Sequence, residues 1–144
     1  GVPGVSVLDG DRMIFMTSKG YLIALDIETG AEIFSKKVAE VIDTTTDCQL
    51  VTQGLLIYAI IDPVPPLMTL GYLQRHEVDN NRVVAYSTSD GSLKFTFRPY
   101  MPVYNFQAAS INDGSFVFQD QTGGVYRVNL EGKLLWYGGA VDRA

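Results

Sequence analysis

The sequence predicts an all-β chain of three repeated units, and three observations carry that prediction. A glycine followed four residues later by a large aromatic ring recurs as Gly30-Ala31-Glu32-Ile33-Phe34, Gly91-Ser92-Leu93-Lys94-Phe95 and Gly132-Lys133-Leu134-Leu135-Trp136. Each copy follows an apolar run rich in β-branched and aromatic residues and too short for a helix. The glycines also keep a common ruler. Gly10, Gly20 and Gly30 mark the first unit, Gly114, Gly124 and Gly132 the third, and the steps between units, Gly30 to Gly54 and Gly91 to Gly114, are 24 and 23 residues. A repeat of this kind sets the architecture before any single residue is considered.

The elements follow in order. Met13-Ile14-Phe15-Met16 and Tyr21-Leu22-Ile23-Ala24-Leu25 are strands of the first unit. Leu55 to Ile61 and Val83-Val84-Ala85-Tyr86 are strands of the second, and Phe116-Val117-Phe118 is a strand of the third. Turns at Leu8-Asp9-Gly10-Asp11, Ser89-Asp90-Gly91 and Asn112-Asp113-Gly114 predict tight hairpins, hence antiparallel pairing. The central runs are apolar throughout instead of alternating, which requires sheets covered on both faces. Four-stranded antiparallel blades stacked side by side satisfy both demands, so the predicted fold is a β-propeller segment of three blades.

One interval breaks the ruler. Gly54 to Gly91 spans 37 residues where the first unit needs 20, placing an insertion of about 17 residues between Asp62 and Asn81. Without it the period is about 43, inside the roughly 40–50 typical of blades. The predicted boundaries are residues 1–38, 45–99 (insertion about 62–81) and 104–138. In the last strand of the second unit, Leu93, Phe95 and Phe97 are expected on one side and Ser92, Lys94, Thr96 and Arg98 on the other, as suits an outer strand whose cations discourage edge pairing. Phe34, Phe95 and Trp136 are expected to wedge between blades.

The stretch Ala24-Leu25-Asp26-Ile27-Glu28-Thr29-Gly30-Ala31-Glu32-Ile33-Phe34 resembles the Ala-x-Asp-x-x-Thr-Gly-x-x-x-Trp docking motif of pyrroloquinoline-quinone-type β-propellers, with Phe34 in place of tryptophan. The second copy, Ala85 to Phe95, keeps the alanine and glycine and loses the acid and threonine. The third, Val128-Asn129-Leu130-Glu131-Gly132 through Trp136, keeps the tryptophan and is one residue shorter. The resemblance implies a blade type shared by quinoprotein dehydrogenases, a non-enzymatic outer-membrane assembly lipoprotein and sensor domains, and an extracytoplasmic or periplasmic setting. It does not choose among their activities. Read locally, Asp26 and Thr29 are turn acceptors and Gly30 supplies the left-handed position of the hairpin.

Composition narrows the field. With a net charge of −5, modest charge density and high apolar content, the chain is expected to be folded and is a poor candidate for non-specific nucleic-acid binding. No run is long enough to span a bilayer as a helix, and the expectation is a soluble or processed chain. Cys48 is the only cysteine, so no internal disulfide or Cys-x-x-Cys motif exists; it is expected as an inert buried thiol. Quinoprotein dehydrogenases of the type resembled carry adjacent cysteines, a calcium-binding Glu, Asn and Asp set, and a catalytic Asp. The adjacent cysteines are missing here, and the isolated acids Asp43, Asp47 and Asp120 have no spacing that supports those roles. His76, the only histidine, lacks the cluster a metal needs. Gly123-Gly124 is a hairpin and not a phosphate loop, and Tyr100, Tyr104 and Phe106 form a conceivable base-stacking platform that the acidic balance disfavours.

The insertion is the main departure from the repeat. Its prolines keep it out of a strand ladder while Pro65, Leu67, Met68, Tyr72, Arg75 and His76 give it something to bury or to bind with, as a partner-docking element or as a loop packed on its own blade. Three blades leave the apolar faces of the first and last uncovered, so further blades are expected from the same gene, from another chain or from a two-fold copy. The expected function is a non-catalytic scaffold for protein–protein interaction with no cofactor. The alternative is a piece of a quinoprotein dehydrogenase, with pyrroloquinoline quinone and calcium held by other blades; a sugar- or polypeptide-sensing propeller is a third reading.

Overall fold

A computed structural model describes residues 6–17, 19–38, 44–45, 50–61, 81–103, 106, 108–111 and 113–139. The first blade is the antiparallel sheet β1 (Val7–Asp9), β2 (Arg12–Met16), β3 (Tyr21–Asp26), β4 (Glu32–Lys37), in that spatial order. The second runs β5 (Thr44–Thr45), β7 (Leu55–Ile61), β8 (Asn81–Ser87), β9 (Leu93–Phe97), with β6 (Leu50–Thr52) also pairing with β7, so two short strands share its innermost position. The third is β10 (Ala109–Ser110), β11 (Ser115–Gln119), β12 (Val125–Asn129), β13 (Leu134–Gly138). Except for β7 and β8, which flank residues 62–80, sequential antiparallel pairing follows from two- to five-residue turns, which are too short for a parallel crossover.

Register gives each blade two faces. Directly opposed residues share a face, so Ile14, Ala24 and Phe34 form one row of blade one. The corresponding rows are Ile57, Ala85 and Phe95 in blade two, and Val117, Arg127 and Trp136 in blade three. We call these front faces. The front of blade one packs Ile14, Met16, Leu22, Ala24 and Phe34 against Leu56, Tyr58, Ile60, Val84 and Tyr86 on the back of blade two. The front of blade two packs Ile57, Ala59, Val83, Ala85 and Phe95 against Phe116, Phe118, Tyr126 and Val128 on the back of blade three. Because blade two is covered twice, Leu56 to Ile60 are all buried, which is why that run does not alternate. Each large apolar side chain so buried contributes about 1.5–3 kcal/mol.

A β-bulge falls after Ala24, after Ala85 and after Arg127, at the same place in all three blades. The extra residue shifts the last strand by one position. This corrects the expected alternation in β9: Phe95 and Phe97 stay on the front, but Leu93 stands opposite Tyr86 and is 58% exposed.

The Tyr58 ring is buried between blades one and two, and its hydroxyl finds no hydrogen-bond partner among the described residues. Burial pushes that phenol well above its ordinary pKa. A buried orphan donor costs about 1–3 kcal/mol. Tyr58→Phe is therefore expected to leave the fold intact and to raise stability by about 1 kcal/mol; a urea midpoint that falls in this variant would refute the assignment.

Candidate interaction surface

The hairpin carboxylates settle first. Asp26 Oδ1 accepts from the amides of Glu28 and Thr29 at 2.9 and 3.0 Å, Thr29 Oγ1 accepts from the Ala31 amide, and the Gly30 amide donates to the Asp26 carbonyl. The Thr29 amide, above all, holds the Asp26 carboxyl below its usual range. In blade two Ser87 stands at the Asp26 place, its Oγ accepting from the Ser89 amide at 3.2 Å, while Asp90 takes the Thr29 role by accepting from the Ser92 amide; in blade three Asn129 Oδ1 accepts from the amides of Glu131 and Lys133. Three different spellings therefore build the same turn.

Asp120 is the one buried carboxylate among the described residues. It accepts from the Thr122 amide (2.9 Å), Thr122 Oγ1 (2.7 Å), the Gly124 amide (2.9 Å) and the Tyr126 hydroxyl (2.7 Å). Burial raises its pKa, but these donors outweigh burial and hold it below the ordinary value. Oδ1 takes three of these bonds and Oδ2 takes the one from Tyr126. Tyr126 passes the network on by accepting from the Tyr100 amide at 2.9 Å. The arrangement suits a structural hub joining the β11–β12 hairpin to the segment after β9.

Two contacts cross between blades one and two at the hairpin end. Arg12 Nη1 donates to the carbonyls of Thr88 and Ser89 at 2.8 and 3.1 Å, and the Phe34 ring lies over Gly91. The Phe95 ring lies over Gly132 in the same way, one blade further on. Phe34 and Phe95 are 8% and 7% exposed, whereas Trp136, at the equivalent place on blade three, is 45% exposed on the open front face.

The open front of blade three differs from the two covered fronts. Arg127 stands where they carry Ala24 and Ala85. Its Nε donates to Ser115 Oγ at 3.1 Å and its Nη2 pairs with Asp113, whose carboxylate also accepts from Ser115 Oγ at 2.6 Å. The Ser115 hydrogen bond, then the Arg127 charge, hold the Asp113 carboxyl down despite its partial desolvation. Comparing the copies from Val128 onward passes over Arg127; the bulge position is the signal that aligns it with the alanines. At the opposite end, Met13, Phe15, Ile23 and Leu25 form a half-buried apolar back face of blade one.

The predicted docking residues Pro65, Leu67, Met68, Tyr72, Arg75 and His76 lie outside the described residues, as do Asp43, Asp47, Cys48 and Tyr104. What is described is the mouth of the insertion: Ile61 pairs with Asn81, so the two ends of the segment meet at one end of blade two. Among the described residues no group of three or more His, Cys, Asp or Glu could hold a metal, and no helix is long and apolar enough to cross a membrane.

Against known proteins, the sequence model of the PQQ_2 family, described as outer membrane protein assembly factor BamB, matches residues 1–140. No curated protein sequence matches the chain. Among solved structures, BamB from Moraxella catarrhalis aligns with TM-score 0.63 and 14% identity, covering 94% of this chain and 36% of that one. A europium-containing methanol dehydrogenase aligns with TM-score 0.66 and 13% identity, covering 94% and 31%. The quinohemoprotein alcohol dehydrogenase of Comamonas testosteroni aligns with TM-score 0.64 and 13% identity, covering 93% and 26%. The chain thus spans about a third or less of each of these proteins, and at such identities the likeness shows the β-propeller fold.

Proposed function

The chain belongs to the PQQ_2 family of the outer membrane protein assembly factor BamB, and from that premise we propose that it is a non-catalytic scaffold for protein–protein interaction, working outside the cytoplasm as part of a larger propeller. The observation that carries this reading is the Ile61↔Asn81 pairing, which brings the two ends of the 62–80 insertion together at one end of blade two. Surface loops held by a rigid sheet are where binding residues concentrate. Asp120 supports the reading from the other side, since it is buried and bonded to donors of its own hairpin. Pro65, Leu67, Met68, Tyr72, Arg75 and His76 are proposed as the contact set for a protein partner, and the 24–34, 85–95 and 128–136 motif copies as blade architecture.

The test replaces residues 62–80 with a two-residue Asn-Gly turn, which suits a hairpin closed at Ile61 and Asn81. The melting temperature is expected to stay within about 4 °C, the equivalent of about 1 kcal/mol. Photo-crosslinking from position 72 in intact cells is expected to trap one defined envelope protein, and the shortened variant to lose its co-purification. A swap that unfolds the chain assigns the insertion to packing instead. The second reading, a dehydrogenase segment, is favoured by the likeness to two alcohol-oxidising enzymes. Dye-linked alcohol oxidation by the assembled protein after reconstitution with pyrroloquinoline quinone and calcium would establish it and overturn the scaffold.

A further inference from the structure

We propose that Arg127 makes the open front face of blade three selective, reserving it for a fourth blade that brings hydrogen-bond acceptors and barring a second copy of this chain. The inference rests on the propeller-segment reading above and concerns which blade can follow. Fronts dock on backs: the Ile14, Ala24, Phe34 row covers the back of blade two, and the Ile57, Ala85, Phe95 row covers the back of blade three. In both interfaces a small alanine lets bulky residues approach, Tyr58 and Tyr86 in the first, Phe116 and Tyr126 in the second. The front of blade three keeps valines at Val117 and Val125 and a ring at Trp136, but fills the alanine position with a guanidinium.

Among the described residues, the one back face that no other blade covers is that of blade one, lined by the apolar Met13, Phe15, Ile23 and Leu25. Head-to-tail docking of a second copy would press the Arg127–Asp113 pair against that surface, stripping its water and offering no acceptor in return. Desolvating an ion pair without new partners is unfavourable, and such a group excludes the wrong partner as effectively as good contacts select the right one. A fourth blade with acceptors at its facing positions meets no such penalty. Blade one supplies the precedent, since Arg12 on its front donates to the Thr88 and Ser89 carbonyls in the turn of the following blade. Nε and Nη2 of Arg127 are engaged by Ser115 and Asp113, and the remaining donors of its fork are those a following blade would satisfy. The solved BamB structure is about two and a half times as long as this chain, so chain for such a blade exists in a protein of this kind.

Trp136 is the only tryptophan and stands in the same row, so its emission reports whether the face is covered. In sedimentation velocity at about 50 µM, a concentration that reveals micromolar association, the unchanged chain is expected as a monomer with solvent-exposed tryptophan emission. Arg127→Ala, which restores the residue of the other two fronts, is expected to self-associate with a midpoint at least about tenfold lower and a blue-shifted emission. Arg127→Met should do the same, and Arg127→Lys should remain monomeric. Adding Trp136→Ala to Arg127→Ala should abolish association. The proposal falls if the unchanged chain and both uncharged variants associate equally, if neither uncharged variant associates while remaining folded by circular dichroism, or if association survives loss of Trp136. None of these results depends on the 62–80 insertion, so failure here is distinguishable from failure of the scaffold reading.

Discussion

Asp120→Ala is expected to lower stability by about 3 kcal/mol, because it strands buried donors that cost about 1–3 kcal/mol each when unpaired. Four donors converge on that carboxylate, and the Tyr126 hydroxyl is among them. For a chain of this length the loss corresponds to a fall of about 10 °C in melting temperature. Asp120→Asn keeps one acceptor oxygen and is expected to cost roughly half as much. The sign of the pH effect follows from the lowered pKa. A carboxyl lower in the folded than in the unfolded state stabilises fully above its unfolded pKa of about 3.9, and that stability is lost as pH falls through the folded value. Thermal melts from neutral pH down to about pH 3 should therefore show the unchanged chain losing its advantage over Asp120→Asn in acid. An advantage that grows on acidification would contradict the network.

Gly91→Ala is expected to cost about 3 kcal/mol and Gly30→Ala about 1 kcal/mol, although both glycines occupy the left-handed region, at φ +75 and +73. The backbone strain is shared; the space is not. A Cβ on Gly91 would stand 2.7 Å from Phe34 Cε1, while one on Gly30 would meet nothing within 4 Å. The difference between the two variants therefore isolates the interblade contact from the turn. Gly132→Ala, with a Cβ 2.8 Å from the Phe95 ring, should match Gly91→Ala. Urea unfolding of the three variants measures this directly, and equal losses at all three positions would mean that the rings do not rest on the glycines.

Much of the fold was legible in the sequence because its cues are local. The left-handed glycines sit at the predicted turns, the five predicted runs fall within strands, and the unbroken apolar stretch 55–61 belongs to the blade covered on both faces. What escaped depends on register. A single bulged residue moved Leu93 out of its row and hid the equivalence of Arg127 with Ala24 and Ala85. In the third unit the shorter turn compounded the shift, so copies aligned on their glycines fell out of step upstream. Asp120 escaped for another reason. Its donors Thr122 and Gly124 are near in sequence and could have been read as a turn, but the Tyr126 and Tyr100 links appear only once β11 and β12 are paired. The long interval of the glycine ruler falls between β7 and β8, which end at Ile61 and begin at Asn81.

The conserved place of the bulge has a consequence for how such a chain can change length. Because Ala24 and Ala85 sit at the same offset from it and turn the same kind of surface forward, gene duplication could copy blade one or blade two and set the copy down beside either without redesign. Blade three is different: with Arg127 at that offset, a copied neighbour would not fit behind it. One residue thus acts as a stop on expansion, fixing the order of modules that are otherwise interchangeable.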